Sequence, residues 1–323
     1  MVSNFANAPT TKELEAKYSR TEKDLFAIAE YEHAAAEAVA FSDYSYWRSV
    51  WKIFISKTRV KILIVLFLGL VVFSFIAESI SPYEYATLHS SFADAFTKPN
   101  SQYWFGTDNL GRDYWVQVWG ATLISIKLSG MVAIGECVIG VLMGCVWGYV
   151  RSLDRFFTEL YNLINNIPSI IYMTLIALFV GRTLATLTIA MIAVGWLHTA
   201  KQIRGLVFLY RDREFNLASR CLGTKTWAIL RKNLIPYLVS VIFLNFSMSI
   251  PGTIGMETTL SYLGLGLGVD TPSLGILLRN ARGYFVAFPY LLIFPALIVA
   301  LITIAFYLLG NAFSDACDPR NHV

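Results

Sequence analysis

From Ile62 to Ala77 the chain carries no charged side chain, and five further stretches downstream are nearly as apolar. A hydrocarbon core of ~30 Å takes about 20 apolar residues to cross as a helix, and such runs have few other folds open to them. Six segments fit that description. The first covers 60–80, from Val60 to Ile80. The second lies within Ala121–Val150, the third within Asn166–Val180 and the fourth within Leu184–Thr199. The fifth lies within Leu234–Met256 and the sixth within Phe288–Leu309. The expected fold class is an all-α membrane protein with six transmembrane helices. Composition agrees: 56% of the 323 residues are hydrophobic and 15% charged, against about a quarter charged in soluble chains. The first apolar run begins too late for a secretory signal peptide and reads as a retained helix.

Charge divides the chain. The tail 1–46 has four basic residues (Lys12, Lys17, Arg20, Lys23) against eight acidic ones, hence −4. The rest, 47–323, is then +8 within the overall +4. Basic residues cluster before the first span, at Arg48, Lys52, Lys57, Arg59 and Lys61. They cluster again across 201–233, at Lys201, Arg204, Arg211, Arg213, Arg220, Lys225, Arg231 and Lys232. The loop after the first span holds only Lys98 and Arg112, and the one after the fifth only Arg279 and Arg282. Basic loops stay in the cytoplasm, so both termini are expected there. This distribution points to membrane orientation rather than nucleic-acid binding. In the tail, Leu14, Tyr18, Leu25, Ile28, Ala35 and Val39 recur at helical spacing and predict a partly amphipathic helix, which Thr21 and Asp24 could divide as a capping box.

Signals for an enzyme are missing. There is no G-x-x-x-x-G-K-[ST], so ATP hydrolysis by this chain alone is not expected. There is no H-E-x-x-H and no G-x-S-x-G. His33, His89, His198 and His322 are scattered, and Cys137, Cys145, Cys221 and Cys317 form no CxxC, so no metal, cofactor or catalytic residue is expected. Two charges fall inside spans, where each costs about 3 kcal/mol at the centre. Lys127 reads as snorkelling. Glu136, about nine residues further and so on the opposite side of the helix, should face the bundle or a water-filled path. A translocation role and a structural hydrogen bond both remain open for it.

The basic segment 201–233 is longer than a connector needs. Phe215–Leu222 reads as a short helix closed by Gly223, with Ala218 and Ser219 as a small-residue face and Pro236 marking the start of the next span. The run Glu214-Phe215-Asn216-Leu217-Ala218-Ser219-Arg220-Cys221-Leu222-Gly223, followed by Asn233-Leu234-Ile235-Pro236, resembles the E-A-A-x-x-x-G…I-x-L-P loop of bacterial importer permeases. Leu217 stands at that pattern's glutamate and Ile235 at its final leucine. Phe105-Gly106-Thr107-Asp108…Gly111-Arg112-Asp113 resembles the signature after the first span of the "C" subunits of peptide and nickel permeases. Leu260-Ser261-Tyr262-Leu263-Gly264-Leu265-Gly266…Thr271-Pro272-Ser273-Leu274-Gly275 resembles that family's L-S-F-L-G-L-G…P-S-W-G, and the tail Asp315-Ala316-Cys317-Asp318-Pro319-Arg320 its D-A-L-D-P-R.

That resemblance, strongest to oligopeptide and dipeptide permeases of Gram-positive bacteria, implies a type I ABC importer permease fold in the cell membrane. It implies a homologous permease partner, two ATP-binding subunits, an extracellular solute-binding protein and a peptide substrate moved by alternating access. It assigns ATPase coupling to Glu214, Phe215, Leu217, Ala218, Ser219, Gly223 and Pro236. Nickel-complex or opine import is the nearby alternative. An ion-driven carrier or a membrane enzyme using Glu136 or His198 is the distant one. The apolar stretch Leu260–Leu267, on the outer side, is expected to dip back against the bundle.

Overall fold

The computed structural model describes residues 46–80, 94–268 and 271–317. The helix expected in the 1–46 tail, and Asp318-Pro319-Arg320, lie outside the described residues. From Trp47 onward the chain forms one compact unit. Among the described residues there is no strand, only an isolated bridge between Thr107 and Asp113.

Helix α1 (Tyr46–Ser56) precedes α2 (Thr58–Ile80). It is anchored by Val50 and Phe54, which are buried, and Phe54 meets Phe313 edge-on at 5.3 Å. Helix α2 is apolar all round and remains largely uncovered, with Val65 70% exposed and Ile62 59%. An apolar helix left bare in this way is what a lipid-facing span looks like.

Helix α3 (Tyr114–Tyr149) has 36 residues, about 54 Å at 1.5 Å each. It starts a full two turns before Ala121 because Asp113 caps it, accepting from the Trp115 N–H at 2.9 Å. It packs along α6 (Leu184–Tyr210) through Gly140, Gly144 and Gly148. A Cβ on Gly144 would meet the Ala200 carbonyl at 2.6 Å, and one on Gly148 the Arg204 carbonyl at 2.8 Å. Small residues four apart let two backbones approach closely in lipid, where packing rather than the hydrophobic effect drives association.

The third expected span is not a straight helix. Helix α5 (Ser169–Val180) has only 12 residues, about 18 Å, too short to cross alone. Before it runs α4 (Arg151–Asn165), and the two are bent by 79° at a short break. Pro168 sits at that break, where it removes a donor and pushes Ile167 from helical geometry. Among the described residues five helices are therefore long and apolar enough to span a membrane, six if the bent pair counts as one passage.

After α7 (Glu214–Cys221) the chain re-enters the bundle through α8 (Thr226–Ile229), a π-turn at Leu230–Leu234 and α9 (Ile235–Tyr262). These form one run of 37 residues. Pro236 falls in the first turn of α9, as expected, and the helical run also continues upstream of it. It lacks an N–H, and the ladder adapts upstream, with the Ile235 N–H reaching back five residues to the Leu230 carbonyl. Helix α10 (Leu274–Ala281) and α11 (Tyr290–Cys317) complete the fold.

The stretch expected to dip back does so in part. Leu260 and Leu267 are buried with Leu128, Met191 and Ile276, while Leu263 stays half exposed. Helix α10 goes deeper, with Leu274, Gly275, Ile276, Leu277 and Ala281 all buried.

Candidate functional site

Helices α3, α4, α5, α6 and α9 surround an open cavity of about 610 Å³. Helix α3 contributes Glu136, and α4 contributes Tyr161 and Asn165. Helices α5 and α6 add Tyr172, Met173, Met191, His198 and Gln202, while α9 adds Asn245, Met248, Ser249 and Met256. Glu136 accepts a hydrogen bond from the Ser249 hydroxyl, tying α3 to α9. Its other side lies over Gly195 of α6, where any Cβ would collide with the carboxylate. The structure thus joins the two readings left open for Glu136: it is hydrogen-bonded and it faces the cavity. His198 lines the same space, 2.8 Å from Gln202 one turn on. Lys127 is exposed and far round the helix. Among the described residues no group of His, Cys, Asp and Glu is placed to hold a metal.

The second feature is α7, at the end of the bundle where α3 and α6 finish. Its C-terminus is a complete Schellman turn. The Gly223 N–H bonds the Arg220 carbonyl at 2.9 Å, and the Thr224 N–H bonds the Ser219 carbonyl at 3.0 Å. Gly223 adopts φ +76°, the left-handed conformation that this turn requires. Asn216 is fully buried; it donates to the Tyr210 carbonyl at 2.9 Å and accepts from Asn233 at 3.0 Å. Arg211, also buried, donates to the Gly148 carbonyl at 2.9 Å. Arg220 donates to the Arg211 carbonyl at 2.8 Å and to the Tyr149 hydroxyl at 3.2 Å.

Held from beneath, α7 turns its other side outward. Phe215 is 41% exposed, Leu217 45%, Leu222 85% and nearby Trp227 58%. Ala218 and Glu214 are exposed as well, and Glu214 sits in the first turn, where a negative charge suits the helix dipole. Ala218 and Ser219 do not share one face. The Ser219 hydroxyl is turned inward, donating to the Phe215 carbonyl at 2.9 Å and accepting from Asn233 at 3.2 Å. Pro236 lies on the surface one turn beyond the π-turn rather than within this patch.

At the opposite end two carboxylates are buried, one of them, Asp108, within the motif that resembles the family signature. Asp108, 6% exposed, accepts from the Leu110 and Arg112 N–H groups at 2.9 Å, from the Arg112 guanidinium at 2.7 and 2.8 Å, and from Gln117 at 3.1 Å. Glu257, 1% exposed, accepts from Ser261 and Ser273 at 2.6 Å each and packs on Gly275, pinning α10 to α9. Glu257 was missed because the fifth span was expected to end at Met256. Its own charge in an otherwise apolar run was the available signal.

A chain-spanning bundle with a central cavity, and a braced apolar helix projecting from one end, defines a membrane permease subunit. Residues 137–323 match the model of the binding-protein-dependent transport system inner membrane component, and the chain belongs to that family. Residues 45–100 match the N-terminal TM domain of oligopeptide transport permease C. The oligopeptide transport system permease protein AmiD of Streptococcus pneumoniae is 34% identical over 94% of this chain and 99% of its own length. OppC of Bacillus subtilis, of the same description, is 29% identical over 92% and 97%. The dipeptide transport system permease protein DppC of that organism is 28% identical over 94% and 95%. The all-α type I ABC permease fold expected from the motifs is the fold of this chain.

Proposed function

We propose that this chain is a permease subunit of an ATP-driven importer that passes peptides across the cytoplasmic membrane by alternating access. Its partners are a homologous permease, two ATP-binding subunits and an extracellular solute-binding protein. The peptide assignment rests on the similarity to AmiD and OppC, oligopeptide permeases, and DppC, a dipeptide permease. The α7 end faces the cytoplasm, as do both termini. Supporting this, Lys201, Arg204, Arg211, Arg213 and Arg220 lie there, and the bent pair adds Arg151 and Arg155.

The observation that carries the coupling role is the contrast within α7 between a satisfied, buried underside and an apolar outer side. An exposed patch of large apolar residues on a rigidly braced helix marks a protein contact. Glu214, Phe215, Leu217, Ala218 and Gly223 form or shape that contact, Ser219 supports it from behind, and Pro236 lies outside the patch. Movement of an ATP-binding subunit gripping α7 would pass to α3, α6 and α9 through Arg211, Arg220 and Asn233, and so to the cavity.

Ala218→Trp tests this. Interfaces pack as densely as interiors, and an overfilled site typically costs 1–3 kcal/mol, roughly tenfold or more in association. The variant should insert and pair with the other permease, yet recover about tenfold less ATP-binding subunit on purification or hydrolyse ATP without uptake. Lys225→Ala, on the exposed connector, should behave as wild type. Normal ATPase association and peptide uptake in Ala218→Trp would overturn the assignment.

A further inference from the structure

We propose that Glu136 is a subsite for the ammonium group of a peptide in transit, so that this chain's half of the path reads a positive charge and leaves side chains loosely read. The proposal rests on the peptide-importer reading above and deepens it.

Among the described residues lining the cavity, Glu136 is the one acidic side chain and His198 the one basic side chain. No Lys, Arg or His among them forms an ion pair with it. In a partly desolvated space a carboxylate without a counter-charge either takes up a proton or draws a cation to itself. The chain builds a seat for the carboxylate. Ser249 donates from α9, and Gly195 removes the side chain that would otherwise fill the carboxylate's place on α6. Hard metal cations want six or more oxygen ligands, which this seat does not gather. An ammonium needs one charged acceptor and a few neutral ones, and Asn245 lines the same space.

The remaining walls fit the same substrate class. Four methionines, Met173, Met191, Met248 and Met256, line the cavity. Unbranched, polarisable thioethers adapt to ligands of different shape. A volume of about 610 Å³ lies within the range of small-molecule sites. One fixed charge with adaptable walls suits molecules that share a backbone ammonium and differ in side chain. A Lys side chain offers the same group, so both sources are tested.

Uptake is measured in cells whose sole peptide importer is the complete transporter, carrying wild type, Glu136→Gln or Glu136→Asp at equal membrane abundance. The substrates are trialanine, N-acetyl-trialanine and N-acetyl-Ala-Lys-Ala. Glutamine still accepts from Ser249, so it removes the charge and keeps the brace. Glu136→Gln should lower trialanine uptake about tenfold, the scale of one charge-assisted hydrogen bond, and leave N-acetyl-trialanine at its wild-type level. Glu136→Asp should stay within about threefold of wild type for trialanine. Loss of N-acetyl-Ala-Lys-Ala uptake in Glu136→Gln would show that a side-chain ammonium is also read; its retention would confine the site to the amino terminus. Unchanged trialanine uptake in Glu136→Gln, equal proportional loss of free and acetylated trialanine, or a Gln-like loss in Glu136→Asp would overturn the proposal. Absence of trialanine uptake by wild type would instead overturn the peptide reading itself.

Discussion

Both ends of the bundle are braced by an arginine–aspartate cluster, but the two clusters face opposite ways. At the α10 end, Asp108 and Arg112 are largely enclosed, and the aromatic residues around them point in. Phe105 stacks on Phe294 at 3.8 Å, and the Tyr114 hydroxyl donates to the Leu291 carbonyl. At the α7 end, Asp212 is 43% exposed among Arg151, Arg211 and Arg220, and the apolar residues point out. The first cluster closes a loop onto the bundle and consumes its own motif in doing so. The second holds up a surface and leaves the motif's apolar residues for another molecule. Two stretches that resemble the same family thus do different work, one building the fold and the other presenting a contact.

The largest effect expected from this contrast is at Asp108. Its removal takes one buried acceptor from the Arg112 guanidinium, from the Leu110 and Arg112 N–H groups and from Gln117, and breaking such a pair costs about 3–5 kcal/mol. Asp108→Ala should lower the thermal midpoint of the purified subunit assembly or its membrane abundance severely. Leu222→Ala, which removes a side chain 85% exposed, should leave both unchanged and weaken only ATPase association. A stable Asp108→Ala beside an unstable Leu222→Ala would reverse the comparison.

At the α7 end the burial is local. Asn216→Ala deletes a fully enclosed amide bonded to Tyr210 and Asn233, a loss of about 1–3 kcal/mol. Hydrogen exchange should quicken across 214–222 without change at 105–113. Equal quickening at both ends would mean that α7 is not an independent unit.

How far these features were legible depended on whether they left a local pattern. The apolar runs of α2, α6 and α11 announced themselves, because a bilayer demands length and apolarity from contiguous residues. Gly223 announced the end of α7 because only a left-handed turn needs it there. The bend before α5 had a signal in Pro168, yet α4 is too charged to read as part of a span, so its existence was hidden. Gly140, Gly144 and Gly148 went unread, because four-residue glycine spacing does not say which helix will be met, and that depends on the whole fold. Glu136 could be placed in the bundle from its charge alone. Its seat could not, because Gly195 and Ser249 come from helices far along the chain. Asp108 is locked by Arg112 and Gln117, close by in the same stretch, whereas Glu257 is locked both by Ser261 one turn on and by Ser273 from beyond α9.

The smallest effect is expected at Asp212, and it tests whether the exposed cluster owes its rigidity to charge. Burial works to raise the Asp212 carboxyl, but the guanidinium groups of Arg211 and Arg151 outweigh it and hold the carboxyl below the usual range. A carboxyl depressed on folding adds stability that is present above its unfolded value of about 3.9 and is lost only as pH falls through the lower folded value. Between pH 5 and pH 8 its contribution should therefore be flat. Exposed pairs are worth about 1 kcal/mol or less, and salt screens them further. Arg211 and Arg220, by contrast, also bond the Gly148 and Arg211 carbonyls, contacts that do not depend on Asp212. Asp212→Asn should accordingly shift hydrogen exchange in 214–222 by less than a factor of about five, equally at pH 5.5 and pH 8, and less still at high salt. A loss as large as that of Asn216→Ala would mean that charge, rather than the buried amide and arginine contacts, holds the coupling helix in place.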